Sequence, residues 1–415
     1  MIHKLWLAAL VAAFYIPCQA QGITGTWEGT LQVASQKLVL YFRFGQTDSG
    51  TPTCHMDIPA QSVKGMAVRL DHISADSVSL SVPAIAITYA GKLQGERIVG
   101  TFHQGMAALP LQLKRGQIAK PNRPQEPKPP FRYTTQEVTF ANPSAGITLA
   151  GTLTYPVGFE AKKRVPVVVM ATGSGPENRD EEIFDHKPFA VLAHHLALNG
   201  IASLRFDDRG VGKSTGQQQG ATTDDFATDV KAGIDYLRSL KCFNRIGVLG
   251  HSEGGLIAFM LAADGACDFI VSMAGPGIKG DTLLTEQLNR IMQQKGIPTR
   301  LTVAQTRASQ AAKPGNEWMK HFLDFDPAPV ISRIRIPVIA INGSKDCQVL
   351  AASNLTAIRQ LLAPKGNKHN LIRQYDGLNH LFQHCQTGSG DEYYQIEETI
   401  APEVLRDIAE WINSL

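Results

Sequence analysis

The sequence predicts an α/β fold, a doubly wound and mostly parallel sheet with a helical insertion, preceded by a small all-β domain. Three observations predict it. Apolar runs such as "VPVVVMATG", "IASLRFD", "RIGVLGHS", "FIVSMAG" and "IPVIAING" alternate with helical segments in the C-terminal two thirds. Uninterrupted β-branched runs separated by helices are the pattern of parallel strands covered on both faces. Ahead of them, short alternating runs such as "KLVLYFRF", "SVSLSV" and "LPLQLKR", broken by Gly, Asp and Ser, read as antiparallel strands. Between the two regions, "GQIAKPNRPQEPKPPFRY" places five prolines from Lys120 to Pro130, which favours extended chain.

The elements follow in order. Residues 1–20 have a basic start at His3 and Lys4, an apolar stretch from Leu5 to Ile16, and Cys18 and Ala20 near a cleavage point. That order predicts a secretory signal peptide, cleaved before Gln21, and an exported, periplasmic protein. Pro17 stands where a lipoprotein signal has a small residue, which favours simple cleavage. No later apolar run is long enough for a membrane anchor, so stable membrane insertion is not expected.

Residues 21–115 are expected to form the all-β domain, a small barrel or sandwich. Gly25-x-Trp27-x-Gly29 is similar to the first strand of lipocalin-like barrels. A spacer and a substrate-covering module are both open for it. Residues 116–134 read as the linker and 135–415 as the α/β domain. Within the latter, "GDTLLTEQLNRIMQQKG" and "GNEWMKHFLDF" predict helices inserted over about 276–328, roofing the C-terminal ends of the strands. "TTDDFATDVKAGIDYLRSL" predicts a helix capped by Thr222 or Thr223.

Composition limits the functions on offer. At 415 residues the chain exceeds one ordinary core, with 43% hydrophobic and 19% charged residues and a net charge of +3. So mild a charge, with no Lys/Arg-rich run, excludes a nucleic-acid partner. Neither a cofactor nor a metal is predicted. His194 and His195 are adjacent on a predicted helix and point different ways, so they do not pair as ligands. Oligomeric state does not follow from the residues.

The chemistry centres on Gly250-His251-Ser252-Glu253-Gly254-Gly255, which ends an apolar strand and opens a helix. A nucleophilic serine must project from the sheet edge on a tight turn, and glycines remove the clash with the neighbouring strand and helix. The helix N-terminus then offers free N–H groups to a developing oxyanion. A serine hydroxyl needs a base, itself oriented by an acid. His380 follows the strand "NLIRQYDG", whereas His369 precedes it and His321 lies in the insertion; His384 is the runner-up. Asp346 follows the strand "IPVIAING" and is chosen over Asp324, Asp326 and Asp376. The order Ser252, Asp346, His380 is that of the α/β-hydrolases.

With these residues, "FDDRGVGKS", "GSKD" and "NHLF", the chain from about Thr135 to Leu415 resembles an α/β-hydrolase of the bacterial esterase and serine-aminopeptidase-like group. The resemblance implies acyl transfer to Ser252 with His380 as base and Asp346 as its orienting acid. It places the oxyanion loop at "TGSGPENRDE", with the N–H groups of Ser174 and Glu253 as donors and Gly173 and Gly175 supporting. Thr172-Gly173 stands where the family often has His-Gly. Asp208 and Arg209 are expected to brace loops around the site. A small-molecule carboxylic ester is the expected substrate. A serine aminopeptidase is the alternative, with Glu177, Asp180, Glu181 or Glu182 near the substrate amine; a non-catalytic exported binding protein is the reading from another class. Cys347 follows the acid and Cys385 follows the base at one sheet edge, which predicts a disulfide between them; Cys242 and Cys267 form a second candidate pair.

Overall fold

Alternation of apolar and polar residues turns one side of each N-terminal strand inward in the computed structural model, which describes residues 22–33, 36–61, 63–118, 120–311 and 316–415. The leader predicted for residues 1–20 lies outside the described residues. Strands β1 (Gly25–Val33), β2 (Gln36–Gln46), β3 (Pro52–Ile58) and β4 (Val63–Ile73) are followed by β5 (Ser77–Val82), β6 (Ile87–Gln94), β7 (Arg97–Gln104) and β8 (Ala107–Arg115). Each pairs antiparallel with the next, and β1 also pairs with β8, Trp27 opposite Arg115 and Gly29 opposite Leu113, so the sheet closes into a barrel. Trp27, Leu40, Phe42, Met56, Leu80, Tyr89 and Ile98 fill its interior. The Trp27 indole N–H donates to the Ile23 carbonyl at 2.8 Å, which satisfies its one polar atom inside an apolar core.

The second compact unit runs from Lys120 to Leu415. Arg123, in the proline-rich stretch, is buried and donates to the carbonyls of Asp185, Phe184, Tyr394 and Ile396 at 2.8–3.1 Å. Strands β9 (Thr134–Asn142), β10 (Ile147–Tyr155), β11 (Val165–Ala171) and β12 (Ala202–Phe206) open the sheet of this unit. It continues through β13 (Phe243–His251), β14 (Phe269–Met273), β15 (Val338–Gly343) and β16 (Leu371–Tyr375). The spatial order is β16-β15-β14-β13-β11-β12-β10-β9, in which β10 pairs antiparallel with both β12 and β9 and all other neighbours are parallel.

Helices cover both faces. Residues of α1 (Pro188–Leu198) pack on one face, and those of α2 (Thr223–Ser239) and α3 (Glu253–Ala263) on the other. Thr222 is the N-cap of α2, and with Asp225 it forms a capping box that satisfies first-turn donors. Between β14 and β15 the chain leaves the sheet to form α4 (Gly280–Gln294), α5 (Val303–Ala311), α6 (Glu317–Asp324) and α7 (Ala328–Ile331). Arg307 of α5 ties this insertion together by donating to Asp281, Asp324 and the Leu323 carbonyl. Helix α8 (Ala351–Leu362) joins the face of α2 and α3, and α9 (Pro402–Asn413) joins that of α1. Among the described residues no helix is long and apolar enough to cross a membrane.

The connection after β11 leads to α1 on one face and that after β13 to α3 on the other. Two neighbouring parallel strands whose exits part in this way leave a crevice at their C-terminal ends, where open α/β sheets bind ligands. In the barrel, Trp27→Ala removes the largest buried side chain and its hydrogen bond. It is expected to cost about 3–5 kcal/mol, read as a lowered urea midpoint for loss of barrel structure.

Candidate active site

Strand β13 ends at His251 and α3 begins at Glu253, so Ser252 alone makes the corner. Its φ of 53° and ψ of −116° lie in a region that costs a non-glycine residue on the order of 1–3 kcal/mol. The corner is held at both ends: the Ser252 N–H donates to the Met273 carbonyl at 2.8 Å, and its carbonyl accepts from Gly255 N–H at 2.9 Å. A Cβ at position 250 would sit 1.9 Å from the Gly254 carbonyl oxygen, and one at 254 would sit 2.0 Å from that of Ala171. The flanking glycines are therefore required by close backbone approach.

Asp346 follows β15, and His380 follows β16. Asp346 is buried; its Oδ1 accepts the N–H groups of Gln348 and Val349 at 2.7 and 3.0 Å, and its Oδ2 meets His380 Nδ1 at 2.7 Å. A carboxylate so placed accepts, so Nδ1 carries the proton and Nε2 is the free base nitrogen. A turn built on Asn379, whose Oδ1 accepts from Leu381 and Gln383 N–H, fixes the loop. Ser252 and His380 line one cavity of about 290 Å³. Ser174, Glu253, Gly173 and His251 share its wall, and α4 and α6 close it with Leu283, Leu284, Trp318 and Phe322.

The loop after β11 is braced as a unit. Asp208 accepts from the Thr172 hydroxyl at 2.8 Å and from Glu177 N–H at 3.0 Å. Asp207 holds Arg179 through its side chain and backbone, while Arg209 turns to Asp229 at 2.7 Å and to the Asp225 carbonyl. Gly173 N–H donates to Glu181 Oε1 at 2.9 Å, and Gly175 has a φ of +121°, open to glycine and strained for other residues. Glu181 Oε1 also meets His251 Nδ1 at 2.9 Å. Glu253 Oε1 accepts from the Thr223 hydroxyl at 2.6 Å and from Trp318 Nε1 at 2.8 Å.

Other candidates fall elsewhere. His384 lies exposed against Glu398 and Glu403, His321 meets Asp224, and Asp376 accepts from Ser344. Asp180 pairs with Arg205, and Glu182 is exposed. The predicted disulfides are absent: Cys54, Cys242, Cys267, Cys347 and Cys385 are free thiols. The Cys347 thiol is turned to the Gly388 carbonyl and that of Cys385 to the Gly377 carbonyl, so each sulfur is engaged by backbone and not by the other. Burial pushes both thiols up to about 11, away from the reactive thiolate. His251, Trp318 and the Glu253 side chain were not singled out by sequence; their partners lie 30 or more residues away in the chain. Among the described residues no cluster of three or more His, Cys, Asp or Glu is arranged to hold a metal ion.

The chain is similar to several known hydrolases. A family model described as serine aminopeptidase, S33, matches residues 186–314. Esterase EstD of Thermotoga maritima is 26% identical over 275 residues, covering 64% of this chain and 65% of that protein. The chain thus spans slightly less than two thirds of the Thermotoga protein. The serine hydrolase BPHL of Mus musculus is 26% identical over 216 residues, 47% of this chain and 72% of its own. Among solved structures, a Pyrococcus furiosus esterase superimposes with a TM-score of 0.47 at 17% identity, covering 72% of this chain and 98% of its own.

The acids around the cavity are electrostatically expensive. Burial, and then the charges of Glu181, Asp208 and Glu253, raise the Glu177 carboxyl well above the usual carboxylate range. Burial likewise brings Asp208 up to about 7, against the lowering hydrogen bonds from Glu177 N–H and Thr172. A carboxyl whose folded pKa exceeds its unfolded value keeps its proton longer in the native state. Native stability is then greatest in acid and declines as pH rises through the raised pKa. Glu177→Gln removes that decline at one site. The variant is expected to exceed the parent in stability at pH 8 by on the order of 1 kcal/mol and to match it near pH 4, as measured by urea unfolding at both pH values.

Proposed function

We propose that residues 135–415 form an α/β-hydrolase domain of the esterase and serine-aminopeptidase-like group, and that Ser252 is the nucleophile of an esterase acting on small-molecule carboxylic esters. The observation that carries the reading is the single cavity shared by Ser252, on its strained corner, and His380, whose Nδ1 lies 2.7 Å from Asp346. In this mechanism His380 Nε2 takes the Ser252 proton as Oγ attacks the carbonyl, and Asp346 stabilises the imidazolium that forms. The N–H groups of Glu253 and Ser174 receive the oxyanion, the first at the N-terminus of α3, where the helix dipole adds to it. Gly173 N–H is engaged by Glu181, which supports the assignment to its neighbour. The alcohol leaves with the proton from His380, and water releases the acyl group through the same base.

A second reading, hydrolysis of substrates bearing an ammonium group near the scissile bond, is favoured by one observation. Glu177, Glu181 and Glu253 line the cavity, and each has a buried Oε2 with no hydrogen-bond partner. Unpaired buried carboxylate oxygens are costly unless a ligand donor or cation meets them. Export, with residues 1–20 as the leader, belongs to the same proposal.

Hydrolysis of short-chain p-nitrophenyl esters is expected to exceed that of aminoacyl anilides, and the reverse preference selects the second reading. Ser252→Ala is expected to lose at least about 10³-fold in kcat and all labelling by a fluorophosphonate. Folded parent protein that takes no label and turns over neither substrate class would defeat the enzymatic reading.

A further inference from the structure

The residue before the nucleophile is built into the site by contacts that no motif requires. His251 is buried, with Nδ1 2.9 Å from Glu181 Oε1 and Nε2 3.0 Å from the backbone carbonyl of His380. A carbonyl oxygen only accepts, so Nε2 carries a hydrogen. Glu181 Oε1 already accepts Gly173 N–H, and facing Nδ1 it accepts a second hydrogen. With Glu181 ionised, both ring nitrogens of His251 are donors, a state that only the imidazolium provides. Its ring centroid is 4.8 Å from that of His380.

We infer that His251 is a positioning residue, held as an imidazolium by Glu181, which locks the loop carrying the base to the loop carrying an oxyanion donor. The inference rests on the proposed roles of Ser252 and His380. The bonded path runs from Gly173 N–H to Glu181, to His251, to the carbonyl of His380, whose ring reaches Asp346. Three loops, after β11, β15 and β16, are thus joined around the corner at Ser252. Neutral His251 would retain one donor and lose its hydrogen bond either to Glu181 or to the His380 carbonyl. Burial alone opposes the charge on His251, but Glu181, the His380 carbonyl and Asp346 outweigh it and its pKa is raised. The titratable groups facing it are Glu181, His380 and Asp346, with Glu177 and Glu253 on the same cavity wall.

Side-chain ¹⁵N NMR on histidine-labelled Ser252→Ala protein tests the charge without any turnover, with the His251 signals assigned by their loss in His251→Asn. At pH 8 both His251 nitrogens are expected in the protonated range, and Glu181→Gln is expected to return the residue to a neutral tautomer. A neutral His251 at pH 8, or one indifferent to Glu181→Gln, overturns the inference, whatever the protein hydrolyses. The kinetic arm uses the best ester found with active parent enzyme. Glu181→Gln is expected to lower kcat on the order of tenfold to a hundredfold, with KM changed less than about threefold and the alkaline limb of the kcat profile moved to lower pH. A folded Glu181→Gln enzyme with the parental kcat and pH profile also overturns it. If that variant does not fold, the parental NMR measurement still decides. Failure of fluorophosphonate labelling strikes the proposed function and leaves the NMR result standing.

Discussion

Between β13 and α3 the chain turns so tightly that one added carbon at position 250 would overlap the carbonyl oxygen of Gly254. The geometry of the rest of the site depends on that closeness. β13 lies between β11 and β14 in the middle of the parallel sheet, so the corner cannot relax sideways. It places Ser252 at the sheet's edge with a backbone no ordinary serine would choose, and starts α3 at the very next residue. Gly173, from the neighbouring β11 loop, then packs close to Ser252: a Cβ at 173 would lie 3.6 Å from that of Ser252. The hydrogen bonds from Ser252 N–H to Met273 and from Gly255 N–H to the Ser252 carbonyl hold the strained conformation that the packing imposes.

Much of this was legible because the chemistry sits at places a pattern can mark. Ser252, Asp346 and His380 each follow a strand, and parallel strands bring their C-terminal ends to one edge. The barrel was legible as alternation and turn residues, though alternation alone does not distinguish a closed barrel from an open sandwich. Side-chain direction was the first thing sequence withheld. Cys347 and Cys385 were correctly placed on loops at one edge, yet topology says nothing about where a sulfur points. The acidic run from Glu177 to Glu182 offered four equivalent carboxylates. Folding sends Glu177 and Glu181 to the cavity, pairs Asp180 with Arg205 and leaves Glu182 exposed. Arg123 sits in a stretch whose composition reads as bare linker, and its meaning lies wholly in carbonyls from two distant segments.

The site also concentrates negative charge where water is scarce. Glu177, Glu181, Asp208 and Glu253 gather behind the corner, and backbone and side-chain donors answer only some of their oxygens. A chain selected for stability alone would place apolar or neutral residues there. Local rules broken at a site, and compensated elsewhere in the fold, are what a functional surface looks like from the side of energetics. Here the compensation is visible in two sheet faces of tightly buried aliphatic residues and in the Arg307 ties that hold the insertion over the cavity.

The closed ring of eight strands carries its own consequence. Because β1 returns to β8 over Trp27 to Gly29, the ring closes and shortens the lateral row of backbone donors and acceptors open to a foreign strand, the usual seed of intermolecular sheet growth. With Trp27, Phe42 and Tyr89 occupying its centre, it also has the solidity of a plug and not the hollowness of a cup. A partner of this module would have to meet its outer skin or its hairpin tips, because its centre is filled.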